Sequence, residues 1–585
     1  MDTQSFERGR FYVSPNGYPR FAGSASGVYL ADTVRAQADA GAPAIETAFT
    51  SRAADEPDET DIYQHFSLRA SDLLATGLRA ALENYFEAWH PLFPFLDGAY
   101  ILSAFESGVL SAMEGSESPV FSRSHAESLA LTAVFKSIVA IGDTDGAVTR
   151  AGFPRLSSTS QATMLAHLVL GACQGGSISD LLAIQALVAL MLFMYLTRRL
   201  RPAMHLSGTV TKLAFEAGLH RCPDRYPGTF ASATEREMRK RVFWSLYTLD
   251  RLLTAEFGVP IMLHDTDVDT CVPGGSERHP LCPPSPEDHP ARDDKDSPDD
   301  RRKRRRVTAS PHGPGRSTSP QIEAANTPSG LSHQPPEPQR QRLLPAFSLV
   351  GISRLMGQAM EAFNKSLRYR SIQAQETLQL RTELERWWND IGFDDDGEAT
   401  PDADDARSPY KTLFICLYRQ QVIALSRPAL SLAPTALQHT YALETCVASA
   451  RVILRTLSRE FDGPRRKAAD CCGLAGRTES LMWPGYVDMV FFAALILVYA
   501  AKREERDSVT IQRLKSDLRR AVRVIEILGK HWNISSFVMA VRAFLDPPKD
   551  ASATGGEELL DTFLFDFDSF ELNWAVHQSL PPSPK

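Results

Sequence analysis

Apolar residues begin to recur at helical spacing from Ser71 onward. Leu73, Leu74, Leu78, Leu82, Tyr85, Phe86 and Trp89 lie on such a spacing, and Pro91 and Pro94 end the run. Further helical periods follow near 124–142, 160–173, 179–199 and 203–217. After a break they resume at about Leu343 and continue through 375–392, 409–426, 437–458, 482–503, 509–531 and 535–545. Strand-like alternation is almost absent and no fixed-period repeat occurs. The pattern predicts an all-α, multi-helical fold with a long disordered insertion and disordered termini.

The breaks in this pattern divide the chain. Residues 1–65 are rich in Gly, Ala, Ser and charge without a sustained period, and are expected to be mostly irregular. A first helical part is expected over 66–273 and a second over 341–548, with an acidic and aromatic tail at 549–585. Between the helical parts, 273–340 holds 14 of the 38 prolines, the acidic stretch Asp293–Asp300 and six consecutive cations. Such a segment buries too little apolar surface to offset the entropy of ordering, so 274–340 is expected to be a disordered insertion.

Composition narrows the function classes. A chain of 585 residues with 43% hydrophobic and 23% charged residues is ordinary for a folded protein of more than one unit or one large unit. The net charge of −8 argues against a surface that coats nucleic acid throughout, so any DNA contact needs a local basic patch. The longest apolar stretch, Leu181–Leu196, is shorter than the ~20 residues of a membrane-spanning helix and reads as a buried core helix, as does Val487–Ala500; no membrane partner is expected. Eight cysteines stand at 173, 222, 271, 282, 416, 446, 471 and 472 without a C-x-x-C pair, so reduced thiols are expected and no zinc knuckle. No Walker loop, H-E-x-x-H or dinucleotide fingerprint is present. Gly23–Gly27 has the outline of a nucleophile elbow, but Ala25 stands where the nucleophile would be. No enzyme activity is expected.

The stretch 179–273 is the most informative. Ser179 is placed to cap the helix Leu181–Leu196. Leu206, Val210, Leu213 and Ala217 form the stripe of a following helix that Gly218 should stop, leaving His220 and Arg221 beside the negative end of its dipole. A further helix begins near Thr234, with capping-box spacing at Ser232/Glu235 and Thr234/Glu237. Its apolar stripe is Met238, Val242, Leu246, Leu249 and Leu253. Arg236, Arg239, Lys240 and Arg241 fall in its first two turns, where the dipole disfavours cations, so tertiary carboxylate partners are expected.

Taken in order, Gly218-Leu219-His220-Arg221, then Glu237 to Arg251 with Arg239, Trp244, Asp250 and Arg251, then Gly258, Pro260, Asp265, Asp267 and Pro273, closely resemble the middle homology region of fungal binuclear-zinc-cluster transcription factors, the xylanolytic activator regulatory domain. Trp89-His-Pro-Leu-Phe-Pro-Phe-Leu96, Arg10–Val13 with Gly23–Gly27, and Ile423–Leu430 fit the same resemblance, which covers roughly 6–545. Phe243 and Val259 depart mildly, standing where Trp and Arg are common. The resemblance implies a nuclear regulator of RNA polymerase II genes of carbon use or secondary metabolism. It also implies DNA as a partner, homo- or heterodimerisation and a small-molecule effector. No cysteine precedes Cys173, so the family's zinc cluster is not among these residues, and zinc is expected only if a cluster exists upstream.

Each motif has a plainer alternative. The Gly218–Arg221 turn, the Asp250/Arg251 pair and Trp244 read first as a helix stop, an interior ion pair and core, with effector binding as the other reading. Arg301, Arg302, Lys303, Arg304, Arg305 and Arg306 suit a nuclear import receptor, or simply offset Asp293–Asp300; Ser297-Pro298 and Ser310-Pro311 flank them as candidate phosphorylation sites. Phe563, Phe565, Phe567, Phe570 and Trp574 alternate with acids in a pattern that suits a coactivator groove, or a terminal helix docked on the protein's own core. Three functional classes follow: a zinc-cluster transcription factor, a cluster-free co-regulator or inhibitor of an intact family member, and a helical metabolite-binding protein.

Overall fold

In the computed structural model the described residues are 10–13, 19–22, 68–114, 124–275, 337–363, 374–393, 407–462, 481–503 and 508–532, apart from short gaps at 145, 155, 157, 227–228, 231 and 433–434. The expected insertion run Arg301–Arg306, the aromatic tail 557–574, the thiols Cys282, Cys471 and Cys472 and the helix expected at 535–545 lie outside them.

The helices are α1 (Leu78–Ala88), α2 (Gly98–Met113), α3 (His125–Gly142), α4 (Thr159–Gln174), α5 (Asp180–Leu196), α6 (Leu200–Glu216) and α7 (Ala233–Phe257). After the break come α8 (Glu337–Phe363), α9 (Ala374–Ile391), α10 (Lys411–Ser426), α11 (Leu437–Asp462), α12 (Gly485–Arg503) and α13 (Ser508–Leu528). The all-α expectation holds for the folded body. One antiparallel hairpin accompanies it, β1 (Arg10–Val13) with β2 (Pro19–Ala22), paired Phe11 to Phe21 and Tyr12 to Arg20. It falls inside the segment read as mostly irregular. Strands of four residues are too short for alternation to reveal.

Local chemistry places the helix ends. Ser124, Ser158, Ser179 and Ser232 each accept a hydrogen bond from the backbone N–H three residues on, opening α3, α4, α5 and α7. The run from Leu73 to Trp89 is not one helix: Gly77 takes a left-handed conformation (φ 87°) and separates a 3-10 turn, Ala70–Leu74, from α1. Helix α8 starts at Glu337, earlier than the apolar pattern resumes; Pro338 is tolerated in its first turn, where an N–H would have no partner within the helix. Pro345 lies further inside and forfeits one helical hydrogen bond.

Helix α5 is the central element, buried from Ala186 to Leu196 on every side. It packs on α3, α4, α6 and α7. Gln185, the polar residue in the apolar run, donates from Nε2 to the Phe95 carbonyl at 2.8 Å and ties the Trp89–Leu96 loop to this helix. In that loop His90 donates from Nε2 to the Leu96 carbonyl at 3.0 Å, and Leu92, Phe93, Phe95 and Leu96 are buried. Two helical stretches, His125–Gly142 and Arg340–Ala362, are long and apolar enough to cross a membrane by length and composition; 67% of each is buried in this core.

The second half of the chain closes the same core. Trp483 stacks on Trp89 and Phe93 and meets Tyr195 edge-on at 5.8 Å. Side chains from the second half also satisfy helix-end carbonyls of the first, which have no partner within their own helix. Tyr410 donates its hydroxyl to the Glu87 and Ala88 carbonyls at the end of α1, and Trp532 donates Nε1 to Leu196 at the end of α5. Between α5 and α6, Arg198 is the one non-glycine with positive φ among the described residues (φ 57°). Its guanidinium donates to both Asp488 carboxylate oxygens at 2.7 and 3.1 Å and to the Pro484 carbonyl at 2.8 Å. Both side chains are almost fully enclosed, at 6% and 2% exposure.

Asp488→Ala should therefore lower unfolding stability by about 3–5 kcal/mol, because it strands a buried guanidinium. Arg79→Ala, which removes an exposed pair with Glu83, should cost less than ~1 kcal/mol in the same urea titration. Burial also holds the His90 imidazole below the ordinary histidine value. The unfolded chain takes up a proton below about pH 6.5 that the folded chain resists, so this contribution is complete above that pH and is lost as pH falls towards the folded value. Stability measured from about pH 7.5 down to about 5.5 should decline, and His90→Asn should flatten part of that slope.

Candidate functional site

The sequence-predicted residues converge on α7. This helix is buried almost all round from Arg239 to Thr254, so every charge it carries must be met. At its start, Asp224 accepts from Arg236 at 3.0 Å and pairs with Lys240. Burial would raise the Asp224 pKa, but Lys240 and Arg236 outweigh it and hold it below the ordinary value. Arg241 pairs with Glu237 at 3.1 Å. Arg239 differs from the carboxylate partnership expected for it. It donates to the Ala217 carbonyl at the end of α6 and lies over the Phe230 ring at 4.2 Å. Thus Arg239 satisfies the helix terminus that Gly218 (φ 67°) stops.

Two segments distant in sequence are stitched together beside this turn. The strap 258–275 leaves α7 at Gly258, a left-handed cap (φ 61°), and Pro260 is exposed just after it. Asp269 donates its N–H to the His220 carbonyl at 3.1 Å and accepts from the Cys222 N–H at 2.7 Å. Thr270 donates to the Leu219 carbonyl at 2.8 Å. His220 meets Phe215 edge-on, its pKa lowered by burial and then by Arg221, which is itself exposed. Cys222, buried and hydrogen-bonded to the Cys271 thiol, is pushed well above the ordinary thiol range and stays protonated.

Arg251 anchors the strap to the helix. Its side chain has no exposure and contacts Asp250 at 3.5 Å and Asp265 at 3.3 Å while donating to the Leu263 carbonyl. The Tyr247 hydroxyl donates to Asp265 at 2.5 Å, and the Arg251 guanidinium lies over the Tyr247 ring at 4.3 Å. Asp250 accepts from Ser207 of α6 at 3.0 Å and from the strap amides of Met262 and Leu263. Burial nevertheless pushes its carboxyl above the ordinary range. Gly357 of α8 lies against Arg251 so closely that a Cβ there would collide with the guanidinium. Trp244, 2% exposed, donates Nε1 to the Cys271 carbonyl at 2.9 Å and carries Arg354 of α8 over its ring. Pro273 is buried at the end of the strap, whereas Asp267 is exposed; Asp269 holds the Gly218 turn instead. Sequence reading passed over Asp224, which takes the Arg236 and Lys240 cations of α7, and Asp269, which pairs with Arg225 at 3.2 Å.

Beside the C-terminal part of α7 lies a cavity of about 120 Å³. Leu252 and Glu256 of α7, Met356 and Met360 of α8, and Trp483 and Met489 around α12 form part of its wall. Among the described residues no group of His, Cys, Asp and Glu could hold a metal ion. The charges of the motif network are met by one another, by backbone groups and by aromatic rings.

Fold and site together define an all-α domain clasped by buried cations, with a small cavity between its two halves. Residues 82–389 match the fungal specific transcription factor domain, and the chain belongs to that family. It is 29% identical over 577 residues to Probable transcription factor FUP6 of Fusarium proliferatum, covering 92% of this chain and 76% of that protein. It is 35% identical over 94 residues to Activator of stress genes 1 of Saccharomyces cerevisiae, 16% of this chain and 10% of that protein. It is 26% identical over 193 residues to Transcriptional activator protein acu-15 of Neurospora crassa, 33% of this chain and 19% of that one.

Arg251→Leu should destabilise the domain by about 3–5 kcal/mol, since it leaves Asp250 buried without its cation. In hydrogen exchange, amides of 259–275 should lose protection more than those of α3. Equal loss in both would mean that Arg251 does not specifically hold the strap.

Proposed function

We propose that this chain is the effector-responsive regulatory part of a nuclear transcription factor acting on RNA polymerase II genes of carbon use or secondary metabolism. The observation that carries this reading is the family match across α1 to α9, with likeness to a named transcription factor along 92% of the chain. In this reading DNA contact falls to elements of the family's zinc-cluster type and the helical body regulates them. The helical body acts as the switch: two parts of the chain share one core, and a molecule that prefers one closure of that core shifts the balance of active and inactive states. Arg301–Arg306 serve as the import signal and Phe563–Trp574 as the coactivator segment in this reading.

Two measurements test it. Replacing Arg301–Arg306 by alanine in a fluorescently tagged chain should reduce nuclear accumulation several-fold; unchanged accumulation would remove the import role. Fusing residues 551–585 to a neutral DNA-binding domain should activate a reporter, and substituting Phe563, Phe565 and Phe567 by alanine should abolish that. A silent fusion would sink the coactivator role.

A further inference from the structure

The cavity behind α7 is more selective than its size suggests. At about 120 Å³ it is smaller than a drug-sized pocket and near the volume of engineered apolar cavities, ~150 Å³, that take up benzene. Met356, Met360 and Met489 contribute to its wall, and thioether side chains adapt to a guest's outline at little cost. Two lining residues are polar and buried, Tyr195 at 1% exposure and Gln421 at 6%. A phenolic hydroxyl and a primary amide can each donate or accept, so both can engage a neutral polar group of a guest. Glu256 and Arg427 also line it, and their opposite charges give the wall no net charge to hold an ion.

We infer that this cavity binds an uncharged, mostly apolar molecule of about one substituted ring, carrying a hydroxyl or carbonyl oxygen that the Tyr195 hydroxyl and Gln421 amide engage. The site joins α5 and α7 from one side of the insertion to α8, α10, α11 and α12 from the other. A ligand there touches both parts of the chain and stabilises their closed arrangement. The effector reading above rests on such a molecule; the binding itself does not depend on transcription.

Phenol, benzene and benzoate are the probes, titrated calorimetrically into the full-length chain. Phenol should bind and raise the melting temperature, benzene should bind more weakly, and benzoate should not bind. Tyr195→Phe should weaken phenol roughly fivefold, the worth of one neutral hydrogen bond, and leave benzene unchanged. Ala424→Phe, at a half-buried wall position, should exclude both while circular dichroism shows the fold retained. Should that variant unfold, Gln421→Met, close in shape, replaces it and should weaken phenol selectively. No binding of phenol to the wild type, binding of benzoate as tight as phenol, or phenol binding untouched by Tyr195→Phe and Gln421→Met would each overturn the inference. Intact phenol binding with no reporter response to any ring compound would count against the effector reading alone.

Discussion

A guanidinium and a carboxylate 290 positions apart, Arg198 and Asp488, set the condition on which the architecture depends. Neither charge tolerates burial alone. Burying them therefore requires α12 to come down on the turn between α5 and α6. The positive φ at Arg198 is strain that this closure compensates. Once closed, Trp483 reaches Trp89, Phe93 and Tyr195, and Tyr410 and Trp532 reach the helix ends of α1 and α5. Two lengths of chain separated by a proline-rich, highly charged stretch thereby become one core.

Helix α7 repeats the same logic locally. A helix buried on all sides with Arg239, Asp250 and Arg251 needs partners of the right sign and geometry, and it draws them from α6, the Gly218 turn and the strap. Hydrogen bonds from Asp269 and Thr270 join the Gly218–Arg221 turn and the strap directly. None of these motif residues lines the cavity; Tyr195, Gln421 and three methionines do. The cavity lies where the two lengths of chain meet, with lining residues from both.

Much of this was legible in the sequence wherever the cause is local. Ser179 and Ser232 cap the helices their spacing announces, Gly218 stops α6, and the apolar runs at 181–196 and 487–500 become core helices. Helix α2 escaped because its apolar positions are diluted by Gly, Ala and Ser, leaving Ile101 and Phe105 as its few buried large side chains. Non-local chemistry was not legible. Nothing near Arg198 announces Asp488, and nothing in the first turns of α7 shows that Arg239 seeks a main-chain carbonyl while its neighbours seek Asp224. The cavity arises from six elements at once, so no window of sequence contains it.

The central claim, that both lengths of chain form one cooperative core, is tested most directly by native-state hydrogen exchange of the full-length protein across a urea series. Amides in α5 and α12 should share one opening free energy and lose protection at the same urea concentration. Distinct opening free energies, with α12 exchanging while α5 stays protected, would contradict the account.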